Sequence, residues 1–145
     1  MPDQTLTQLM LKIHEDTKKL FLQFEESLGK DLGSAVKALE RFKKEIEMHF
    51  YYEESTAFKY CKDVAKNNDG ISNLVSQHSE IMEIINDIKN NLKTEKKVEL
   101  SGLKKLLEEH YNIENAIFYP RLDSEVKEGE KKLIIKKIKK YYYNY

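Results

Sequence analysis

The chain has 145 residues and contains four histidines: His14, His49, His78 and His110. Two of these histidines are followed four residues later by a glutamate, which gives the pairs His49–Glu53 and His110–Glu114. Residues four apart lie on the same face of a helix, so each pair would place an imidazole beside a carboxylate. Neutral imidazoles and carboxylates are ligands for iron and zinc in proteins. The spacing therefore predicts a metal centre.

The elements that position these residues are predicted to be helices. Apolar residues recur every three or four positions along four segments, and the alternating runs typical of strands are scarce. We predict helices over about residues 5–27, 34–66, 71–92 and 101–120, the last with Ser101 as its N-cap and an end near Pro120. Polar connections at 67–70 and 93–100 separate the later helices. The pattern favours an all-α fold, an up-down-up-down four-helix bundle with a short fifth helix over about residues 130–145.

A single domain over residues 1–145 is expected, because no linker or repeat divides the chain. The bundle would cover about 5–122, and a basic amphipathic segment would cover about 123–145. Its lysines could attract anionic lipid or a protein partner of unknown identity. Its apolar stripe is short, however, which favours packing on the bundle and makes membrane binding unexpected.

Charge and cysteine content exclude several other classes of protein. The 25 Lys and Arg residues balance the 25 Asp and Glu residues, so no excess of positive charge indicates a nucleic-acid partner. Cys61 is the single cysteine and cannot form an internal disulfide, so we expect it to be a core or boundary residue. The N-terminus lacks a basic region followed by an apolar run, and no stretch approaches the roughly 20 apolar residues of a membrane span. We therefore expect a cytoplasmic protein.

Each predicted helix carries one histidine on its apolar stripe, so all four imidazoles should point into the bundle together with Glu53 and Glu114. Burying an unpaired carboxylate in an apolar interior costs roughly several kcal/mol of folding free energy. Bound metal ions would remove that cost because their charge compensates the carboxylate. Two iron ions would use all six side chains, whereas four-coordinate zinc would leave the two carboxylates in excess. The alternative without metal is a core in which each histidine bonds to a separate neighbour.

The ordered pattern of histidines and glutamates resembles that of hemerythrin-like proteins, the HHE cation-binding domains, over about residues 5–122. The segment that begins HFYYEE at His49 is similar to one motif of this family. Residues 110–122, HYNIENAIFYPRL, are similar to its closing motif and to the iron-centre repair branch. The resemblance implies a non-haem di-iron centre with an oxo or hydroxo bridge. It places His14 and His49 on one iron, His78 and His110 on the other, and Glu53 and Glu114 between them.

The sequence departs from the oxygen-carrying hemerythrins at two points. Leu74 stands where those proteins have a further histidine, and Glu114 followed by Asn115 replaces their aspartate. One iron therefore lacks an imidazole, and solvent, a carboxylate oxygen or the phenol of Tyr52, which shares a face with His49, would take its place.

Fewer histidines leave labile positions on the metals, which favours reactivity with exogenous ligands. The resemblance thus implies a protein that binds or reacts with O2, peroxide or NO, in sensing or detoxification. Iron-centre repair or iron sensing is the second interpretation, and simple reversible O2 binding is the third. A metal-free helical interaction module is the alternative from another class.

Overall fold

The structure is a computed structural model that describes residues 4–63 and 70–143. Its described residues form α1 (Leu6–Ser27), α2 (Leu32–Ser55), α3 (Ala57–Asp63), α4 (Ile71–Lys93), α5 (Ser101–Ile113), a π-helical segment (Glu114–Phe118), α6 (Tyr119–Glu125) and α7 (Glu128–Tyr143). None of the described residues lies in a strand. The predicted all-α fold is confirmed.

The bundle is built from α1, α2, α4 and a fourth helical rod that runs from α5 through the π segment into α6. In the bundle, α1 packs on α2, α2 on α4, α4 on α5, and α6 returns to α1. Apolar side chains fill it in two clusters, one toward each end. We call the cluster that contains Ile13 and Tyr52 the lower cluster. The cluster that contains Ile46 and Phe21 is the upper cluster. The polar side chains between these positions along α1 and α2 therefore lie in a layer between two apolar cores.

The second predicted helix differs from the observed one at both ends. It begins at Leu32 rather than at residue 34, because the Asp31 side chain caps it by accepting a hydrogen bond from Ser34 N at 2.8 Å. It ends at Ser55, since Thr56 leaves helical geometry (φ −119°, ψ −84°) while its hydroxyl bonds to the Tyr52 carbonyl. The chain then resumes as α3. The predicted end at 64–66 and the turn at 67–69 lie outside the described residues.

The fourth predicted helix does not stop near Pro120. The N–H of Tyr119 bonds to the carbonyl of Glu114, five residues earlier, which closes a π-helical turn. Pro120 then falls in the first turn of α6, where its missing N–H is tolerated, and the helix continues to Glu125. The prediction of Ser101 as the N-cap was also wrong by one residue, because the helix begins at Ser101 and Leu100 is the cap.

The C-terminal helix α7 packs on α1 and α2 and begins at Glu128, slightly before the predicted start at 130. Ile134 and Ile138 are buried against the bundle, and the hydroxyl of Tyr142 donates to the carboxylate of Asp16 on α1. The isoleucines of this basic segment thus pack on the bundle, as its short apolar stripe indicated. Among the described residues, no helix is long and apolar enough to cross a membrane.

Candidate metal centre

The six predicted ligands meet in the polar layer between the two apolar clusters. They come from all four rods of the bundle, and each residue is nearly or completely buried, with at most 3% of its surface exposed. The residues are His14 on α1, His49 and Glu53 on α2, His78 on α4, and His110 and Glu114 on the fourth rod. The histidine of each helix lies within this layer because the apolar stripe that carries it faces the bundle interior.

The six side chains form two groups of four that share both glutamates. One group contains His14 and His49, the other contains His78 and His110, and Glu53 and Glu114 belong to each. Within each group, one donor atom from every residue lies within 4.8 Å of the others. Two shared carboxylates would suit a pair of metal ions, because a carboxylate can bind two ions at once.

Glu53 contacts one histidine from each group. Its Oε1 atom lies 3.1 Å from His49 Nε2 and 3.3 Å from His78 Nε2. The carboxylate of Glu53 therefore lies between the two groups.

Glu114 occupies the equivalent position on the opposite side of the centre. Its Oε1 atom lies 3.1 Å from His14 Nε2 and 3.3 Å from His110 Nε2. The two carboxylates thus form a symmetrical pair, each contacting one imidazole of either group.

These donor atoms fit metal ions by their spacing. Two ligand atoms that bind one ion at right angles, each about 2.1 Å away, lie about 3.0 Å apart. The observed separations between imidazole nitrogens and carboxylate oxygens are 3.1–3.3 Å. Among the described residues, Nε2 of His14 and His49, Oε1 of Glu53 and both oxygens of Glu114 make no hydrogen bond although they are buried. Buried polar atoms rarely remain unbonded, and cations would satisfy all of them together.

The family model of the hemerythrin HHE cation binding domain matches residues 5–122 of this chain. The chain belongs to the hemerythrin HHE family. The matched range contains every residue of the two four-residue groups, so the family and the buried histidines and glutamates of this HHE domain both indicate a metal site. No curated protein and no solved structure gives a significant match.

Two amides orient the histidines of this HHE domain, and sequence reasoning missed both as functional residues. His14 donates from Nδ1 to Asn115 Oδ1, and His110 donates from Nδ1 to Gln77 Oε1, each at 2.8 Å. Because Nδ1 carries the proton in both rings, the Nε2 lone pair faces the centre, as in most metal-binding histidines. Each amide adjoins a predicted ligand in sequence, Gln77 before His78 and Asn115 after Glu114, which was the available signal.

The phenol of Tyr119 is a third group near the centre that helical spacing did not indicate. Its hydroxyl donates to Glu53 Oε2 at 2.5 Å and is completely buried. The π segment brings Tyr119 there, because its wider turn places residues five apart above one another. Tyr119 therefore stacks one turn beyond Glu114 and faces the same centre.

Burial determines the ionisation of the centre. Burial lowers the pKa of His14 to about 4, which keeps the imidazole neutral and able to bind a metal near pH 7. Burial and the negative charge of Glu53 together raise the pKa of Glu114 well above its usual range. Burial also acts to raise the pKa of Glu53, but the imidazole of His49 and hydrogen bonds to the carboxylate outweigh it and lower that pKa. A metal-free HHE domain thus strongly disfavours two negative charges here.

Tyr52 lies beside the centre with its ring parallel to that of His49, the centroids 5.6 Å apart. Its role as an extra ligand stays a prediction. Cys61 is buried in the lower apolar cluster, where burial raises the pKa of its thiol to about 11. A buried thiol of this kind fits the expected core role.

Substituting Tyr119 by phenylalanine should weaken metal binding by about 10- to 100-fold, the usual effect of losing a partner that orients a ligand. The variant keeps the ring that fills the core but removes the hydrogen bond to Glu53 Oε2. Isothermal titration of the metal-free protein with Fe²⁺ under anaerobic conditions measures the change. Tyr143→Phe, at an exposed position on α7, is the control. Equal affinities for wild type and Tyr119→Phe would show that this hydrogen bond does not position Glu53.

Proposed function

We propose that the chain is a non-haem di-iron protein that binds or reacts with O2, peroxide or NO, in sensing or detoxification. The observation that carries this proposal is the pair of four-residue groups that share Glu53 and Glu114. In the proposed assignment, the imidazoles of His14 and His49 would hold one iron, those of His78 and His110 would hold the other, and both carboxylates would contribute ligands to each.

The proposed reactivity with exogenous ligands requires open metal positions, which favours iron over zinc. Each group offers two imidazole nitrogens and one oxygen from each shared carboxylate, which is four protein ligands. Four ligands would complete the tetrahedral shell that zinc prefers, whereas iron takes up to six and would keep positions for solvent and an exogenous ligand. When bound, such an iron pair supplies redox chemistry and open positions for small molecules. Expression in media supplemented with iron or zinc, followed by elemental analysis, separates the two metals.

An apolar cavity of about 170 Å³ approaches the centre between α1 and α5. The residues that line it include Thr17, Phe21, Phe42, Leu107 and Tyr111. The ring of Tyr111 stacks on the imidazole of His14, with centroids 4.2 Å apart, so the cavity ends one aromatic ring away from the centre. Such a lining favours small, weakly polar molecules such as O2 and NO, which supports ligands of that class.

Filling this cavity should slow ligand binding without removing the metal. Leu107→Trp adds bulk where the cavity passes between α1 and α5, and we expect NO to bind the reduced protein about tenfold more slowly. Stopped-flow absorption at equal iron content measures the rate. Leu106→Trp, at the neighbouring half-buried position outside the cavity lining, is the matched control. An unchanged rate in Leu107→Trp would mean that ligands enter elsewhere.

The Tyr52 prediction is tested by spectroscopy. Tyr52→Phe should abolish a visible charge-transfer band if the phenolate binds ferric iron, because phenylalanine has no oxygen to donate. Tyr143→Phe, at an exposed position on α7, serves as the control at equal iron content, because its phenol lies away from the centre. A spectrum that survives Tyr52→Phe unchanged would exclude Tyr52 as a ligand.

Anaerobic addition of O2, peroxide or NO to the reduced protein tests the proposed function itself. We expect at least one of these molecules to change the absorption spectrum at a stoichiometry of one per centre. Reversible binding would indicate a carrier or sensor, and turnover would indicate an enzyme. A reduced, iron-loaded protein that responds to none of the three would contradict the proposal.

A further inference from the structure

A second, wider groove of about 570 Å³ runs along the surface between α2 and α4. Its lining includes three glutamates, Glu47, Glu54 and Glu83, and no lysine or arginine among the described residues that form it. The Nζ atom of Lys43 lies 3.7 Å from Glu47 Oε1 and partly offsets the charge of Glu47. Glu54 and Glu83 therefore contribute most of the negative potential in the groove. Clefts lined by one sign of charge concentrate ions of the opposite sign. The groove is therefore suited to cations.

His78 connects this groove to the buried centre. Its imidazole lines the inner wall of the groove although only 3% of the residue is exposed. Nδ1 lies 3.4 Å from Glu54 Oε2 and makes no hydrogen bond within the described residues. Nε2 of the same ring lies 3.3 Å from Glu53 Oε1 inside the centre. One ring thus separates an exposed carboxylate in the groove from a buried carboxylate in the centre.

Phe50 lies beside His78 in this wall. Its ring also lines the groove and stacks on His78 with centroids 3.7 Å apart. The barrier between groove and centre is therefore only one layer of side chains thick. The Glu54 carboxylate, the His78 imidazole and the Glu53 carboxylate follow one another across this barrier. An ion that crosses therefore has an oxygen or nitrogen ligand at each step.

The apolar cavity on the other face is a poor route for a cation. Lys18 and Lys104 line it together with a single acidic residue, Glu108, and the remaining lining is mostly apolar. A divalent ion would meet net positive charge there and then lose its hydration shell without replacement ligands. The two openings therefore differ in the class of solute that they favour.

We propose that the acidic groove between α2 and α4 is the route by which divalent iron enters the centre, an inference that rests on the proposed di-iron function. Glu83 and Glu47 draw Fe²⁺ into the groove, and Glu54 binds it beside His78. From there the ion passes the imidazole to reach Glu53. Loading of the metal-free protein is then controlled by charges that take no part in the final coordination.

Rapid mixing of the metal-free protein with anaerobic Fe²⁺ tests this route, with Co²⁺ as a redox-silent second probe. The triple variant Glu47→Gln, Glu54→Gln, Glu83→Gln should load about tenfold more slowly than wild type. The double variant Glu47→Gln, Glu83→Gln, which keeps the contact between Glu54 and His78, should be intermediate. Loading of wild type should slow markedly as salt rises, and loading of the triple variant should depend less on salt.

A charge-matched control separates the groove from net charge. Glu15→Gln, Glu40→Gln, Glu109→Gln changes the total charge equally at exposed positions outside the groove lining, and should load like wild type. Equal loading by the triple variant and wild type, or equal slowing in the control, would overturn the route. Faster release of iron to a chelator with unchanged loading would also overturn it, because Glu54 would then only orient His78. A wild-type protein that takes up no iron would instead contradict the metal centre itself.

Discussion

Replacing Glu114 by alanine is expected to remove both irons, whereas replacing His78 by alanine should remove only one. Glu114 belongs to both four-residue groups and contacts one histidine in each, so its loss deprives each ion of a ligand and of negative charge. His78 belongs to one group. Removing a direct ligand should weaken binding by more than the roughly 10- to 100-fold effect of losing a partner that only orients one. The double variant His49→Ala, Glu114→Ala should bind no iron.

Elemental analysis after anaerobic loading and desalting measures this difference as iron per chain. Glu109→Ala is the control, because it removes an exposed carboxylate from the same rod, one residue before His110. A Glu114→Ala protein that retained one tightly bound iron would mean that Glu114 serves a single ion. Two irons retained in the double variant would refute the ligand assignment altogether.

The second prediction is an inversion of stability. Without metal, Glu114→Gln should be more stable than wild type by about 1–3 kcal/mol at pH 7, because folding must protonate a carboxyl group whose pKa burial and Glu53 raise. The reason is that Glu53 and Glu114 are both completely buried in one small layer, and the variant removes one of the two acidic groups. With metal, wild type should be the more stable protein. A ligand at 1,000 times its dissociation constant adds about 4 kcal/mol, equivalent to roughly 10 °C in a domain of this size.

Thermal unfolding followed by circular dichroism, with and without an iron chelator, measures which protein is the more stable in each state. The chelator should lower the Tm of iron-loaded wild type by roughly 10 °C and leave Glu114→Gln nearly unchanged. Glu108→Gln, an exposed neighbour on α5, should behave like wild type in both states. A metal-free Glu114→Gln protein less stable than metal-free wild type would show that the carboxylate is satisfied without a cation.

Much of the centre could be predicted from sequence because helical periodicity is a strong signal. His14, His49, His78 and His110 each occupy an apolar stripe, so their inward direction followed from their spacing alone. The separation of four residues also placed Glu53 beside His49 correctly. The sharing of each carboxylate between two groups did not follow from spacing, because it depends on how the four rods face one another.

The irregular parts of the fold were not predictable from periodicity. At the break, Thr56 leaves helical geometry while its N–H and its hydroxyl both bond to the Tyr52 carbonyl. The same hydroxyl bond at Thr17 leaves α1 unbroken, so the residue type does not mark the break. The π turn after Ile113 changes which face of the rod each residue of α6 occupies. In an α-helix, residues five apart lie on different faces, so α-helical spacing alone places Tyr119 away from Glu114. The actual i to i+5 hydrogen bond brings its phenol to Glu53.

The surroundings of the centre show the same limit. Gln77 and Asn115 stand next to predicted ligands in sequence, yet neither follows the spacing that marked those ligands. Their roles follow from the hydrogen bonds that they accept from His110 and His14 across the bundle. Such hydrogen bonds join helices that are distant in sequence, so the spacing of residues along one helix cannot predict them.

X-ray absorption at the iron K-edge tests the central claim most directly. The iron-loaded protein should contain about two irons per chain, each surrounded by nitrogen and oxygen ligands, with an iron–iron distance of about 3.5–4 Å, as expected for paired metals that share ligands. Cys61 lies outside both four-residue groups, so no sulfur scattering is expected. One iron per chain without an iron–iron signal, or a protein that binds no iron after anaerobic loading, would contradict the di-iron centre.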